Sequence, residues 1–208
     1  MHKSLLVIRA HPLTSEQSRS MRMADAFVAV FRENNPHAHV TELALYDVAI
    51  PEIDLDLLSA WHKLACGVPF PHLHDFEQTK ATLFDHYTNE FLEHDITVVA
   101  NPLWNLQIPT RLKAWIDTIS RAGMTFRYDE SGQAVGLVSG KKAVHLQSAG
   151  GVFGGQDPAN QYVRDIFGFI GITDFENVVM EGVDHDPAHA DAIEAAALDQ
   201  VRVLAAKY

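Results

Sequence analysis

The fold is decided by the stretch Ile96-Thr-Val-Val-Ala-Asn-Pro-Leu-Trp-Asn-Leu-Gln-Ile-Pro109, which runs on into Thr110-Arg-Leu-Lys-Ala-Trp-Ile-Asp-Thr-Ile119. Residues 96–100 form a short run that is apolar at nearly every position, which is typical of a strand buried on both faces of a parallel sheet. Pro109 suits the first turn of a helix. After it, apolar residues recur at helical spacing: Leu112, Trp115, Ile116 and Ile119. The stretch therefore predicts a buried strand, a short stiff loop and an amphipathic helix.

The same alternation extends in both directions. Strands are predicted at 3–10, 40–45, 96–100, 142–146 and 175–180, and helices at 18–34, 75–93, from Pro109 onward, at 157–168 and at 188–206. A strand and a helix repeated about five times predict an α/β protein, with a parallel sheet covered by helices on both faces. No linker or internal repeat interrupts the pattern, so residues 1–208 are expected to form a single domain. Residues 54–74 are the least regular, and we expect a loop with some helical character that serves as a lid or a dimer surface.

Composition narrows the class of protein. The hydrophobic fraction is 47% and the charged fraction 21%, which is normal for a globular domain. One cysteine excludes an internal disulfide and indicates a reducing compartment. The net charge of −11 disfavours nucleic acid and anionic membranes as partners. With no long apolar run for a membrane span or signal segment, a cytoplasmic protein is expected. The twelve histidines are expected to lie on the surface, and no metal site is predicted.

Ligands of open parallel sheets bind beyond the carboxyl ends of the strands, where the strand order reverses. The first such loop, residues 10–20, leads from a strand into a helix. Ser18 and Ser20 bring hydroxyl groups to the helix N-terminus, which favours a phosphate, and His11 and Arg19 add further donors. Neither G-x-G-x-x-G nor a P-loop is present, so a monophosphate fits better than a longer phosphate chain. An ordinary serine N-cap is the alternative interpretation.

The second loop, residues 101–109, holds an aromatic and an amide side chain between two prolines. Proline stiffens the backbone, and such a loop suits the edge of a flat heteroaromatic ring. The candidate ring-binding residues are Pro102, Leu103, Trp104, Asn105 and Leu106. Trp104 packed in the core is the alternative, since tryptophan is usually mostly buried.

The third loop, residues 147–155, contains glycine at 150, 151, 154 and 155. Glycines directly after a strand indicate close approach of the backbone to a ligand, or positive φ angles. Backbone N–H groups of Ser148, Ala149, Gly150 and Gly151 would then stabilise negative charge on a bound ring. The alternative is a mobile surface loop.

At these loops the chain resembles the FMN-dependent NADH-azoreductases, within the wider flavodoxin-like quinone reductases. The resemblance extends in order over essentially the whole chain, through residues 102–106, 112–117, 121–128, 136–143, 168–172 and 181–182. It implies a flavodoxin-like three-layer sandwich with a five-stranded parallel sheet, and a homodimer. It also implies tightly bound FMN, NADH or NADPH as the electron donor, and a quinone or azo compound as the acceptor in a two-electron ping-pong cycle.

Site roles follow from the resemblance residue by residue. Residues 18–20 match the phosphate-binding segment, residues 102–106 the loop along the flavin ring, and residues 148–151 the turn at its other edge. Trp104, Asn105, Phe126 and Phe153 are candidates for the substrate pocket, and no catalytic side chain is expected. Ala10 stands where serine is common in azoreductases and Ala149 where arginine is common, whereas His11 matches related quinone reductases that place it near the flavin phosphate.

Other functions within the same fold remain open at this point. They are a flavodoxin-type electron carrier, a flavin reductase without a quinone pocket, an FAD-dependent quinone reductase and a flavin-free relative. The length of the chain and its segment 54–74 favour an enzyme over a carrier, because carriers of this fold are usually shorter.

Overall fold

The computed structural model describes residues 3–208, so Met1 and His2 of the predicted domain lie outside the described residues. The strands are β1 Ser4–Arg9, β2 His39–Ala44, β3 Ile96–Pro102, β4 Phe126–Tyr128, β5 Ala134–Gly136, β6 Lys142–Ser148 and β7 Asp174–Met180. The α-helices are α1 Arg19–Asn34, α2 Leu55–Ala65, α3 Asp75–Glu93, α4 Thr110–Ile119, α5 Pro158–Ile170 and α6 Ala190–Ala205. The predicted alternation of strands and helices is confirmed.

Five strands form one parallel sheet in the order β2-β1-β3-β6-β7. The chain moves outward from β1 to β2 and then returns to the other side of β1, so the strand order reverses between β1 and β3. This point is where a ligand-binding crevice is expected in such a sheet. The loops after β1 and β3 lie on either side of it.

Helices cover both faces of the sheet, as predicted. One apolar core lies under α1 and α6, and the other under α3, α4 and α5. The predicted inner stripe of α4 is fully buried from Leu112 to Ile119, with Trp115 as its largest side chain. Each such buried side chain contributes about 1.5–3 kcal/mol. On α3, Phe76 is exposed, whereas Phe84 is buried in a separate small cluster against Leu57 of α2.

The segment 54–74 is more regular than predicted. Asp54 caps α2, accepting a hydrogen bond from the Leu57 backbone. The buried Glu77 of α3 binds Lys63 of α2 at 2.7 Å, and this contact holds the pKa of Glu77 down at about 2. Leu55 is 81% exposed, so α2 presents apolar side chains to solvent as well as to α3.

The β4–β5 hairpin was not predicted. It is antiparallel, three residues per strand, and lies apart from the main sheet. Its first residue, Phe126, packs against Phe169 of α5 with ring centroids 4.6 Å apart. Strands this short carry too little alternation to be recognised from the pattern alone.

Candidate functional site

A cleft of about 220 Å³ opens at the carboxyl end of the sheet, beside the point where the strand order reverses. Residues from all three predicted loops line it: His11, Ser18, Arg19, Pro102, Leu103, Trp104, Ser148, Ala149 and Gly150. Gln17, Val183 and Asp184 complete the lining. The three loops, far apart in the sequence, therefore meet at one site.

Ser18 lies at the N-terminus of α1 and is 4% exposed. Its Oγ accepts a hydrogen bond from the Met21 backbone at 3.4 Å, so the N-cap interpretation is confirmed. Ser20 is fully buried behind it, with the two hydroxyl oxygens 3.2 Å apart. A hydroxyl has a donor besides its acceptor sites, so the cap leaves the Ser18 proton available to a ligand in the cleft.

Two basic side chains face the same cleft. Arg19 lies 3.4 Å from Glu194 and 3.9 Å from Asp184, yet its buried Nε makes no hydrogen bond of good geometry. The Glu194 carboxylate is the acidic partner of this Nε, so the Arg19 guanidinium lies between two carboxylates at the edge of the cleft. His11 accepts a hydrogen bond from the Leu13 backbone on Nδ1 at 2.9 Å. Burial lowers the pKa of His11, so the neutral ring keeps its hydrogen on Nε2.

The Trp104 loop is stiffened by a tight turn. Trp104 and Gln107 exchange both backbone hydrogen bonds, at 3.0 and 2.9 Å. The two residues between them, Asn105 and Leu106, have φ angles of 51° and 63°. Positive φ is unfavourable for leucine, and strained residues of this kind concentrate at functional sites. Trp104 is 40% exposed and tilts against His11 with centroids 5.2 Å apart, so it is not a core residue.

The glycine loop after β6 is tied down by the loop after β7. Ala149 donates its N–H to Met180 at 2.7 Å, and the Gly150 carbonyl accepts from Asp184 at 3.0 Å. A Cβ atom on Gly150 would lie 2.1 Å from the exposed Asp184 carboxylate, which would have to move to make room for it. These contacts argue against a freely mobile surface loop. They also engage the Ala149 N–H, which is therefore not available to a ligand.

The Glu181 carboxylate accepts hydrogen bonds from three successive backbone N–H groups of the glycine loop. It accepts from Phe153 at 3.0 Å, Gly154 at 2.7 Å and Gly155 at 2.9 Å. Hydrogen bonds to a carboxylate are among the stronger ones in proteins. The far half of the loop is thus held by one side chain at the end of β7.

A buried polar network lies directly beneath the cleft. Nε2 of His145 lies 2.7 Å from the Asn101 side-chain oxygen, and Nδ1 lies 2.9 Å from that of Asn160. Gln147 donates to Asp157 at 2.8 Å. All five side chains are at most 2% exposed, so the expectation that the histidines lie on the surface is wrong for His145. Desolvation lowers the pKa of His145 to about 4, although the Asn160 oxygen and Asp157 favour a charged imidazole.

Several predicted residues lie outside the lining of the cleft. Asn105 and Leu106 form the exposed tip of the Trp104 turn, Ser20 is behind Ser18, and Gly151 is one residue beyond the lining. Phe126 borders a separate apolar cavity of about 370 Å³ with Trp61 and Phe84. Phe153 is half-buried in the glycine loop. Asp184 was missed, although it follows β7 at the same edge of the sheet and the carboxyl-end rule applies to it equally.

Comparison with known proteins agrees with this geometry. The flavodoxin-like fold family matches residues 3–204 of the chain. The chain belongs to the flavodoxin-like family. The fold predicted from its resemblance to this group is confirmed.

Similar proteins in the family are named enzymes. The chain is 36% identical to an FMN-dependent NADH:quinone oxidoreductase of Streptococcus suis, over 99% of both chains. It is 39% identical to one of Staphylococcus haemolyticus, over 97% of both. The crystal structure of an azoreductase from Bacillus anthracis superposes with a TM-score of 0.90 at 35% identity, covering 99% of this chain and 100% of that one. A second azoreductase from Bacillus anthracis, solved in complex with FMN, gives a TM-score of 0.90 at 29% identity over 99% and 98% of the two chains.

The helices and the metal-ligating side chains bear on membrane and metal binding. Across residues 3–208, the helices are too short or too polar to cross a bilayer. Within the same residues, no group of three or more His, Cys, Asp and Glu side chains is arranged so that it could hold a metal ion.

Proposed function

We propose that the protein is an FMN-dependent NADH:quinone oxidoreductase that also reduces azo compounds. The observation that carries the proposal is the meeting of three predicted loops in one cleft at the reversal of strand order. Full-length similarity to enzymes of this name supports it. The alternatives of an electron carrier and a flavin-free relative lack such support.

The lining of the cleft fits the phosphate and tail of a flavin mononucleotide. Ser18 offers a hydroxyl, Arg19 brings a guanidinium to the lining of the cleft, and His11 offers its Nε2 hydrogen. These donors lie at the N-terminus of α1, where backbone dipoles favour an anion. The protein is strongly acidic overall, so this local cluster must provide the attraction for an anionic cofactor.

The ring of the flavin is assigned to the outer side of the cleft, between the Trp104 loop and the glycine loop. Trp104 supplies a rigid aromatic surface there, and Pro102 and Leu103 supply apolar edges. On the opposite side, the backbone at Ser148 and Gly150 lets the ring approach closely because those residues carry small side chains or none. Asn105, Leu106 and Gly151 remain proposed ring-side residues at the rim.

FMN, when bound, would supply the two-electron redox chemistry between NADH and the acceptor. The side chains of this protein bind and orient; none is assigned as an acid or base. Trp104 is half-exposed, so one face of the cleft remains open to solvent and to a flat substrate. Donor and acceptor would use that face in turn, which gives ping-pong kinetics.

We also propose a homodimer located in the cytoplasm. Apolar side chains of α2 and of the Trp104 turn are exposed on the monomer: Leu55, Leu58 and Leu106. Exposed apolar groups of this kind mark contact surfaces, and a dimer would place a second chain near the cleft. A molar mass of one chain by light scattering would contradict this part of the proposal. The candidate pocket residues Phe126 and Phe153 are assigned to the acceptor only in such an assembly.

One experiment tests the function. The flavin released from purified protein is identified, and oxidation of NADH and NADPH is then followed with menadione and with an azo dye. The expected result is FMN, with turnover of both acceptors and faster reaction with NADH. Recovery of FAD would contradict the cofactor assignment, and bound FMN without turnover would indicate an electron carrier.

A further inference from the structure

The buried network under the cleft contains a histidine that the proposed mechanism does not use. His145 is fully buried on the face of β6 that packs under α5, where it and four other buried polar side chains, Asn101, Gln147, Asp157 and Asn160, interrupt an apolar layer. Polar groups in such a layer are unfavourable unless they are well paired. The residues in contact with His145 indicate the role of its imidazole.

Each partner of His145 is itself attached to one of the loops beside the cleft. Asn101 lies on β3 and its Nδ2 donates to the carbonyl of Pro102 at 2.9 Å, at the start of the Trp104 loop. Asn160 lies in α5 and its Nδ2 donates to the carbonyl of Gly155 at 2.7 Å, at the end of the glycine loop. A single imidazole therefore lies between two amides, each of which holds one loop.

We propose that His145 is a positioning residue that fixes the Trp104 loop and the glycine loop relative to each other across the cleft. It lies between Asn101 and Asn160 and, because the neutral ring carries a single N–H, it donates to one of the two amide oxygens at a time. It touches neither cofactor nor substrate. The inference rests on the proposed function only where it concerns flavin binding, because the positions of the loops are measurable without any ligand.

Three variants test separately the two contacts of His145, through Asn101 to the Trp104 loop and through Asn160 to the glycine loop. Asn101→Ala removes the link to the Trp104 loop, Asn160→Ala removes the link to the glycine loop, and His145→Leu removes both. Val144→Ala is the matched control, because Val144 is equally buried on the same strand but faces the opposite core. If His145→Leu fails to fold, His145→Asn keeps the proposal testable. It retains a polar group on the Nδ1 side toward Asn160, loses the Nε2 contact with Asn101, and should speed exchange in the Trp104 loop alone.

The measurement is amide hydrogen exchange of the apoprotein, read at hydrogen-bonded amides of the two loops. The reporters are Trp104 and Gln107 in one loop and Phe153, Gly154 and Gly155 in the other. We expect Asn101→Ala to speed exchange only in the first loop, Asn160→Ala only in the second, and His145→Leu in both, each by roughly 10- to 100-fold. Equal changes in Val144→Ala, or loops unaffected in His145→Leu, would overturn the proposal.

A second measurement is the Kd of FMN for the apoprotein, followed by quenching of flavin fluorescence. His145→Leu is expected to weaken binding roughly tenfold or more, which corresponds to the loss of an ordered contact, whereas Val144→Ala leaves the Kd unchanged. If exchange responds as expected but the Kd is unchanged, His145 orders the loops and the flavin binds elsewhere. That result would contradict the proposed function but not the positioning role of His145. If the Kd rises without any loop response, the positioning role is wrong.

Discussion

Lowering the pH should destabilise the apoprotein through His145, in a pH window set by burial of that side chain. The ordinary pKa of histidine is about 6.5, and burial lowers that of His145 to about 4. The unfolded chain therefore takes up a proton, as the pH falls below about 6.5, before the folded chain does. A group whose pKa is lower in the folded state favours unfolding as the pH falls. The stability contributed by the neutral ring is complete above pH 7 and decreases toward pH 4.

The size of the effect follows from the two pKa values. A difference of about 2.5 units corresponds to about 3 kcal/mol when the window is fully crossed. Between pH 7.5 and pH 5.0, linkage gives a loss of about 2 kcal/mol from this one side chain. The charged groups that act on the ring are Asp157, which favours the proton, and Arg164, which opposes it. Carboxylates with lowered pKa values, including Glu77 and Glu194, stay ionised at pH 5.0 and add little to the change.

The assay is urea unfolding of the apoprotein at pH 7.5 and pH 5.0, for the wild type and for His145→Leu. Between pH 7.5 and pH 5.0 the free energy of unfolding should fall by about 2 kcal/mol more for the wild type than for the variant, because the variant lacks the titrating group. Identical losses would show that His145 does not titrate in this window. A wild type that gains stability relative to the variant at pH 5.0 would refute the reasoning in a definite way: the oxygens of Asn101 and Asn160 would then outweigh desolvation, and the ring would be charged in the folded protein.

Three other substitutions give separate tests. Ser18→Ala removes a proposed donor to the FMN phosphate and should weaken FMN binding by about 1–3 kcal/mol, measured as a Kd; unchanged affinity would place the phosphate elsewhere. Leu106→Gly removes a side chain from a residue at φ 63° and should raise the free energy of unfolding by about 1 kcal/mol, measured by urea unfolding. A decrease of the same size would show that the Leu106 side chain makes stabilising contacts. Glu181→Gln replaces the acceptor of three N–H groups and should raise the proteolysis rate within the glycine loop by roughly tenfold, with no such rise expected in Glu176→Gln.

The sequence predicted the parts of this molecule that repeat a pattern over many residues. The buried strands and the inner stripe of α4 could be recognised because apolar side chains recur with the period of the element. The three loops could be selected because the carboxyl ends of parallel strands share one edge. That rule predicts that Ser18, Trp104 and Gly150 lie at one site.

Features that depend on single residues were not predicted. His145 reads as one polar interruption in an apolar strand, and nothing in that strand indicates that Asn101 and Asn160 lie on either side of it. Asp184 follows the last strand in a segment with no periodicity, and its place in the cleft arises from packing against Gly150. The β4–β5 hairpin is too short for alternation to accumulate. In each case the decisive contact joins residues far apart in the chain, where local patterns hold no information.

The environment of Arg19 has a consequence for how tightly the cleft can hold an anion. Because Glu194 and Asp184 stand within 4 Å of its guanidinium, part of the positive charge is already compensated in the folded chain. An anion that binds beside Arg19 must compete with these two carboxylates, which sets an upper limit on what this arginine alone can add to affinity.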